Sequence, residues 1–249
     1  MFSEILLFLL AGLVGGAVNA AAGGAKLFVF PMLLASGLPP LAANATGTVA
    51  IWPGFIPAMW VLRDRLEASR SELLLAVAPG LLGALVGAVT LITAGERVFV
   101  AVIPFFLILA VAAIALGKRL TRYAEKIMPD GPARRVALVL LLFAAGFYAG
   151  FFGAGLGFML LAVLTLAGAR DIHVANARKN LFALLFNTTA VVPLALSGLV
   201  NWPAAITVLI GAFAGGYGGA RLTRGLPEQP VRYAVAGVGL VLTLTFLFG

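Results

Sequence analysis

Ten apolar stretches, each the length of a membrane span or about half of one, follow one another with almost nothing polar between them. Broken at Gly, Pro and charge clusters, they run over about 4–22, 25–37, 41–62, 71–93 and 97–117, then 135–152, 155–168, 173–197, 203–222 and 230–248. A hydrocarbon core about 30 Å thick takes about 20 helical residues. Hydrophobic residues make up 62% of the 249, charged residues 10%, and the mean hydropathy is +1.11. Soluble domains average about 45–50% and 25%, and a globule of this size cannot hide so much apolar surface. A water-soluble enzyme, a disordered tail and a nucleic-acid module are excluded. The pattern predicts an all-α polytopic membrane protein. With no cysteine there is neither a disulfide framework nor a thiolate metal site.

The only long polar stretch, 117–135, carries Lys118, Arg119, Arg122, Lys126, Arg134 and Arg135. It divides the chain into a first unit (1–117), a basic linker (118–134) and a second unit (135–249). Segments 25–37 and 155–168 are short for a span, and whether they cross or are re-entrant stays open on length alone. If every segment crosses, the linker side receives Lys26, Arg63, Arg65, Arg70, Arg170, Arg221, Arg224 and Arg232, and the other side only Arg97. If the short segments turn back, Lys26, Arg97, Arg170, Arg221, Arg224 and Arg232 are expected on the far side. The positive-inside rule prefers the first arrangement. It predicts a cytoplasmic linker, both termini outside, and a second unit running opposite to the first. The Ala-rich run at Asn19–Ala22 resembles a signal cleavage site, but the start lacks a basic region, so an uncleaved first helix is expected.

The two units read as one repeat. Gly24, Lys26 and Gly37 fall 131 residues before Gly155, Gly157 and Gly168, and Ala43-Asn44-Ala45 falls 132 before Ala175-Asn176-Ala177. Gly80, Ala84 and Gly87 lie 131 before Gly211, Gly215 and Gly218. Paired five-segment units running in opposite senses, with one short or broken helix in each, are a design of secondary transporters, whose site lies at the midplane.

The stretch from Gly12 to Gly54, with its Gly-rich turn, short helix, Gly-Leu-Pro-Pro turn and Ala-Asn-Ala-Thr helix start, is echoed from Gly146 to Asn180. In this the chain resembles the TauE/SafE sulfite exporter family, also called the sulfonate uptake permeases, over essentially its whole length. Members typically carry a fuller glycine run at both turns, where this chain has Lys26 and Leu156. The resemblance implies a multi-pass protein of the cell (inner) membrane that moves sulfite, sulfonates or other small sulfur anions. It implies neither catalysis nor a cofactor.

All nine acids lie at expected segment ends or loops, which weakens a buried carboxylate relay. The single His173 cannot build a metal site, nor, with Ser36 or Ser197, a hydrolase triad. Arg178 and Lys179 lie about 8–9 Å into the eighth segment. They either snorkel to the headgroups or face a cavity and neutralise an anion; Lys26 poses the same choice. Asn176, Asn180 and Asn187 share a helical face, and Asn44 and Thr48 occupy the positions matching Asn176 and Asn180. The duplicated pairs suit an anion, which wants N–H and O–H donors, a cation and a helix N-terminus. For Asn187, with Thr188 and Thr189, interhelical hydrogen bonding is favoured. Gly23, Gly24, Gly155 and Gly157 would let backbone N–H groups approach the ligand, whereas the glycines at 80–87 and 211–219 read as helix packing.

The expected substrate site therefore comprises Lys26, Asn44, Thr48, Asn176, Arg178, Lys179 and Asn180 with those four turn glycines. The expected partners are a small sulfur anion and membrane lipid, which the basic linker meets, and not nucleic acid; monomer and homodimer both stay open. The function that fits is a secondary transporter working by alternating access. The alternatives are an anion channel or other small-anion permease, and a non-transporting assembly subunit in which the polar stripes only join helices.

Overall fold

Glycine and proline interrupt the apolar chain where the sequence leads one to expect. A computed structural model describes residues 2–21, 23–66, 70–128, 131–168 and 171–222, together with 233, 236–237, 239–241 and 243–246. Arg170, Arg224 and Arg232 lie outside the described residues. The helices are α1 (Phe2–Ala21), α2 (Lys26–Ala35), α3 (Pro40–Ile51), α4 (Phe55–Leu62), α5 (Arg70–Ile127), α6 (Pro132–Phe151), α7 (Leu156–Leu166), α8 (Ile172–Leu196) and α9 (Trp202–Leu222), followed by further helical residues within 233–246. No strand occurs among the described residues. A 3-10 turn over Trp52–Gly54, with Pro53 inside it, separates α3 from α4. Gly95 (φ 75°, ψ 175°) breaks α5 into two spans. Its second half continues through Ile127, so the first ten residues of the expected linker are helical.

Four stretches among the described residues are long and apolar enough to cross a membrane: 40–65, 76–117 (the two spans of α5), 132–151 and 173–196. The shorter apolar helices include α2 and α7.

Glycine sets how the long helices pair. A Cβ at Gly12 would sit 2.1 Å from the Val208 carbonyl oxygen, and one at Gly16 2.2 Å from that of Ala212, so α1 lies backbone to backbone against α9 and parallel to it. The first half of α5 meets α6 in the same way, since a Cβ at Gly83 would sit 2.1 Å from the Phe143 oxygen and one at Gly146 2.0 Å from that of Gly80. In lipid, such close approach yields the dispersion contacts that hold helices together. The first helix of each unit thus packs on the fourth helix of the other.

Hydrogen bonds identify the two ends of the bundle. At one end the Glu96 carboxylate accepts from the Leu41 N–H, 3.2 Å to each oxygen, and the Asn201 N–H donates to Thr46 Oγ1 at 2.9 Å. At the other, Arg134 Nη2 donates to the Leu166 carbonyl at 2.7 Å. Asp171 is there too. Its carboxyl is held below the usual range first by the His173 N–H and, among smaller influences, by the charge of Arg65. The end of α2 therefore lies beside the start of α3 at the Glu96 end, and the end of α7 beside the start of α6 at the Arg134 end. At 1.5 Å per residue, the 10 and 11 residues of α2 and α7 rise about 15 Å and 17 Å, together about one hydrocarbon thickness.

The short segments accordingly do not cross. Each returns to the end from which its preceding helix came. The expectation that turning back would scatter the cations is also corrected: a returning pair leaves the next helix on the same side as two full crossings would. Arg65, Arg134 and the far end of α9 with Arg221 still gather at the Arg134 end, and Arg97, beside Glu96, at the other. Among the described cations of that expectation, Lys26 moves from the surface into the interior.

Candidate anion site

The two turns that precede α2 and α7 meet in the middle of the protein. The Gly157 N–H donates to the Gly23 carbonyl at 3.3 Å, and a Cβ at Gly23 (φ 79°) would fall 2.4 Å from Gly157 Cα. Only glycine fits both the left-handed backbone and the contact. The N-termini of α2 and α7 therefore approach head to head, each presenting about half a positive charge. Between them lies a cavity of about 10 Å³, lined by Asn19, Gly23, Lys26, Gly157, Asn187 and their neighbours. That is room for about one water, so anything larger needs the tips to part.

Lys26 opens α2 and is 2% exposed. Its Nζ donates to Thr48 Oγ1 and lies 5.8 Å from the centre of the Phe152 ring. Thr48 Oγ1 in turn donates to the Asn44 carbonyl at 2.9 Å, which turns a lone pair toward the lysine. Asn44 Nδ2 donates to the Phe151 carbonyl at 3.0 Å, closing off the end of α6, where a bare carbonyl inside the membrane would be costly. Tyr148 OH does the same for Ala154. One polar chain thus runs from the cavity through Lys26, Thr48 and Asn44 to the turn of the other unit. Among the described residues no carboxylate is within ion-pair distance of Lys26.

Of the expected site residues, the structure brings Lys26, Gly23 and Gly157 to the cavity and sets Thr48 and Asn44 behind Lys26. The matching pair in the second unit is arranged differently. Asn180 Nδ2 donates to the Asn176 carbonyl within α8, at 2.9 Å. Lys179 is fully buried, which corrects the snorkelling alternative for that residue, and Arg178 is half-buried. Neither lines the cavity, nor do Gly24 and Gly155.

One polar lining residue, Asn19, escaped sequence reasoning, and another, Asn187, was assigned to interhelical hydrogen bonding. Asn19 is 3% exposed and its Nδ2 has no hydrogen-bond acceptor among the described residues. Asn187 Nδ2 donates to the Ala183 carbonyl at 2.8 Å while its side chain borders the cavity. The legible signal for Asn19 was an amide one turn before a Gly-Gly break in an otherwise apolar helix. It was obscured by the Ala-rich surroundings.

The family model described as "Sulfite exporter TauE/SafE" matches residues 8–246. The chain belongs to the TauE/SafE family. Its relatives are membrane transporters, not enzymes. It is 28% identical to "Probable membrane transporter protein YfcA" of Escherichia coli (strain K12), over 100% of this chain and 92% of that protein. It is 27% identical to a "Probable membrane transporter protein" of Haemophilus influenzae, over 95% and 92%, and 26% identical to "Probable membrane transporter protein ORF9" of a Sinorhizobium species, over 98% and 93%. No solved structure matches. In this TauE/SafE chain the centre between the two turns holds a buried cation and side-chain N–H donors, a combination that suits an anion.

Proposed function

We propose that the protein is a secondary transporter of small sulfur-containing anions of the sulfite or sulfonate type. Substrate binds between the two glycine turns and is released alternately to either side as the tips part. The single observation that carries this reading is Lys26, buried between two helix N-termini with no carboxylate beside it among the described residues. An ionisable residue inside a membrane marks a functional site by default. The contacts assigned to substrate are Lys26, Asn19, Asn187 and the turn backbone, with Asn44 and Thr48 holding Lys26. Arg178 and Lys179 are further cations along α8, and Asn176 and Asn180 further donors. Two units of opposite sense, related by the 131-residue offset, would give the two faces equivalent roles; the reciprocal pairing of α1 with α9 and of α6 with α5 supports that relation. The family description supports the sulfur anion.

The test is exchange of labelled anion in proteoliposomes, with sulfite, sulfoacetate, taurine and chloride offered inside. Sulfur anions should exchange in preference to chloride. Passage of chloride as fast as the sulfur anions would favour a general anion pathway, and no exchange of any of them would sink the transport reading.

A further inference from the structure

Lys26 presents a charge problem that substrate binding alone does not solve. A carrier that works by alternating access must reorient both loaded and empty, and a net charge carried through a low-dielectric interior is costly in either state. An ammonium has three donors, and the acceptor supplied to Lys26 is one hydroxyl, Thr48 Oγ1, with the Phe152 ring nearby. The cavity adds Asn19 Nδ2, another donor without an acceptor. Both helix N-termini add partial positive charge. With no anion bound, nothing among the described residues there balances a full ammonium. A bound sulfonate supplies both the acceptor oxygens and the missing negative charge.

Among the described residues the surroundings offer no substitute counter-charge: on α5, the Glu96 carboxylate is engaged by the Leu41 N–H at the outer start of α3, about 10 Å along that helix from Thr48. α1 carries Glu4 at its opposite end, α3 and α7 carry no titratable residue, and α6 brings Tyr148, whose hydroxyl is engaged by Ala154. α8 carries His173, Arg178 and Lys179, all before Asn187, with Lys179 about 12 Å along the helix from it. In the closing stretch Tyr233 is the only titratable described residue.

We propose that Lys26 is the proton carrier of the transport cycle: the neutral amine takes up one proton together with one monovalent anion, and both leave on the other side, so that transport is electroneutral proton–anion symport. This rests on the transport reading above. The bookkeeping is amine plus proton plus anion on one face, ammonium–anion pair in transit, and the same three species released at the other.

The probe is labelled methanesulfonate, a monovalent anion that carries no proton of its own, with wild-type protein in proteoliposomes. Exchange at equal pH tests transport alone, and its absence overturns both readings together. Coupling is tested separately. One-to-one coupling predicts about tenfold accumulation for each unit of pH gradient and no accumulation under a potassium–valinomycin potential at equal pH. Accumulation that follows the potential and ignores the pH gradient, with exchange intact, overturns the symport proposal and leaves transport standing. Lys26→Arg, whose guanidinium stays protonated, is expected to exchange more slowly, to lose pH-driven accumulation and to respond to potential. Lys26→Gln, closer in size and uncharged, is expected to lose pH-driven accumulation as well. Full pH-driven accumulation in either variant overturns Lys26 as the carrier.

Discussion

Replacing Gly23 by Ala tests the central contact against a built-in control. Gly23 and Gly37 both have left-handed backbones, φ 79° and 88°, but a Cβ at Gly37 meets nothing within 4 Å whereas one at Gly23 falls 2.4 Å from Gly157 Cα. The left-handed conformation costs an L-residue about 1–2 kcal/mol at either site. At Gly23, carbon atoms that prefer about 3.5–4.0 Å must separate by about 1 Å or more. That movement breaks the Gly157 N–H to Gly23 carbonyl bond, worth about 0.5–1.5 kcal/mol, and adds overpacking of about 1–3 kcal/mol. Gly23→Ala should therefore be less stable than Gly37→Ala by about 1.5–4.5 kcal/mol. Reversible unfolding in mixed micelles of mild and denaturing detergent measures the difference, and exchange flux reports whether the parted tips still form the site. Equal unfolding midpoints for the two variants would refute the claim that the turns bear on each other.

Asn19→Leu should fold and raise the apparent KM for sulfonate exchange about tenfold, the loss of one hydrogen bond to a charged group at about 1.5 kcal/mol; an unchanged KM removes Asn19 from the site. The absence of cysteine in the wild type permits labelling of single introduced thiols. Ala35→Cys and Asn201→Cys should react from one side of oriented vesicles, and Lys126→Cys and His173→Cys from the other; any other grouping contradicts the returning short helices. Asp171 caps α8 by accepting from the N–H groups of His173 and Val174 at 2.7 and 3.4 Å. Its folded carboxyl titrates below its unfolded value, so its stabilisation is present above the ordinary carboxylate pKa of about 3.9 and fades as pH falls through the lower folded value. Asp171→Asn keeps the cap and should flatten that limb of the unfolding-midpoint profile against pH.

Much of the bundle was legible because membrane helices announce themselves by composition. The breaks at Gly23, Pro39, Gly95, Gly155 and Asp171 lie within a few residues of where Gly, Pro and charge were expected to end the segments. The glycines of α1, α5, α6 and α9 pack as their spacing suggested. The site was less legible. Asn44 and Asn176 are equivalent in sequence, yet Asn44 reaches across to the Phe151 carbonyl while Asn180, the match of Thr48, folds back onto α8. Sequence offset identifies corresponding positions but not what stands opposite them.

What the sequence by itself determined is the solvent and where the apolar segments break, because burial in lipid constrains every residue of a span and leaves a periodic, countable trace. It also led one to expect no carboxylate in mid-span, since every acid falls at an expected segment end or loop. Only the tertiary structure decided that the short helices return rather than cross, that their N-termini meet head to head, and that Lys26 and not Arg178 or Lys179 faces the central cavity. Those outcomes depend on contacts between residues from tens to more than a hundred positions apart, such as Arg134 with Leu166 and Gly23 with Gly157. Local composition carries no record of which distant backbone will come within hydrogen-bonding distance.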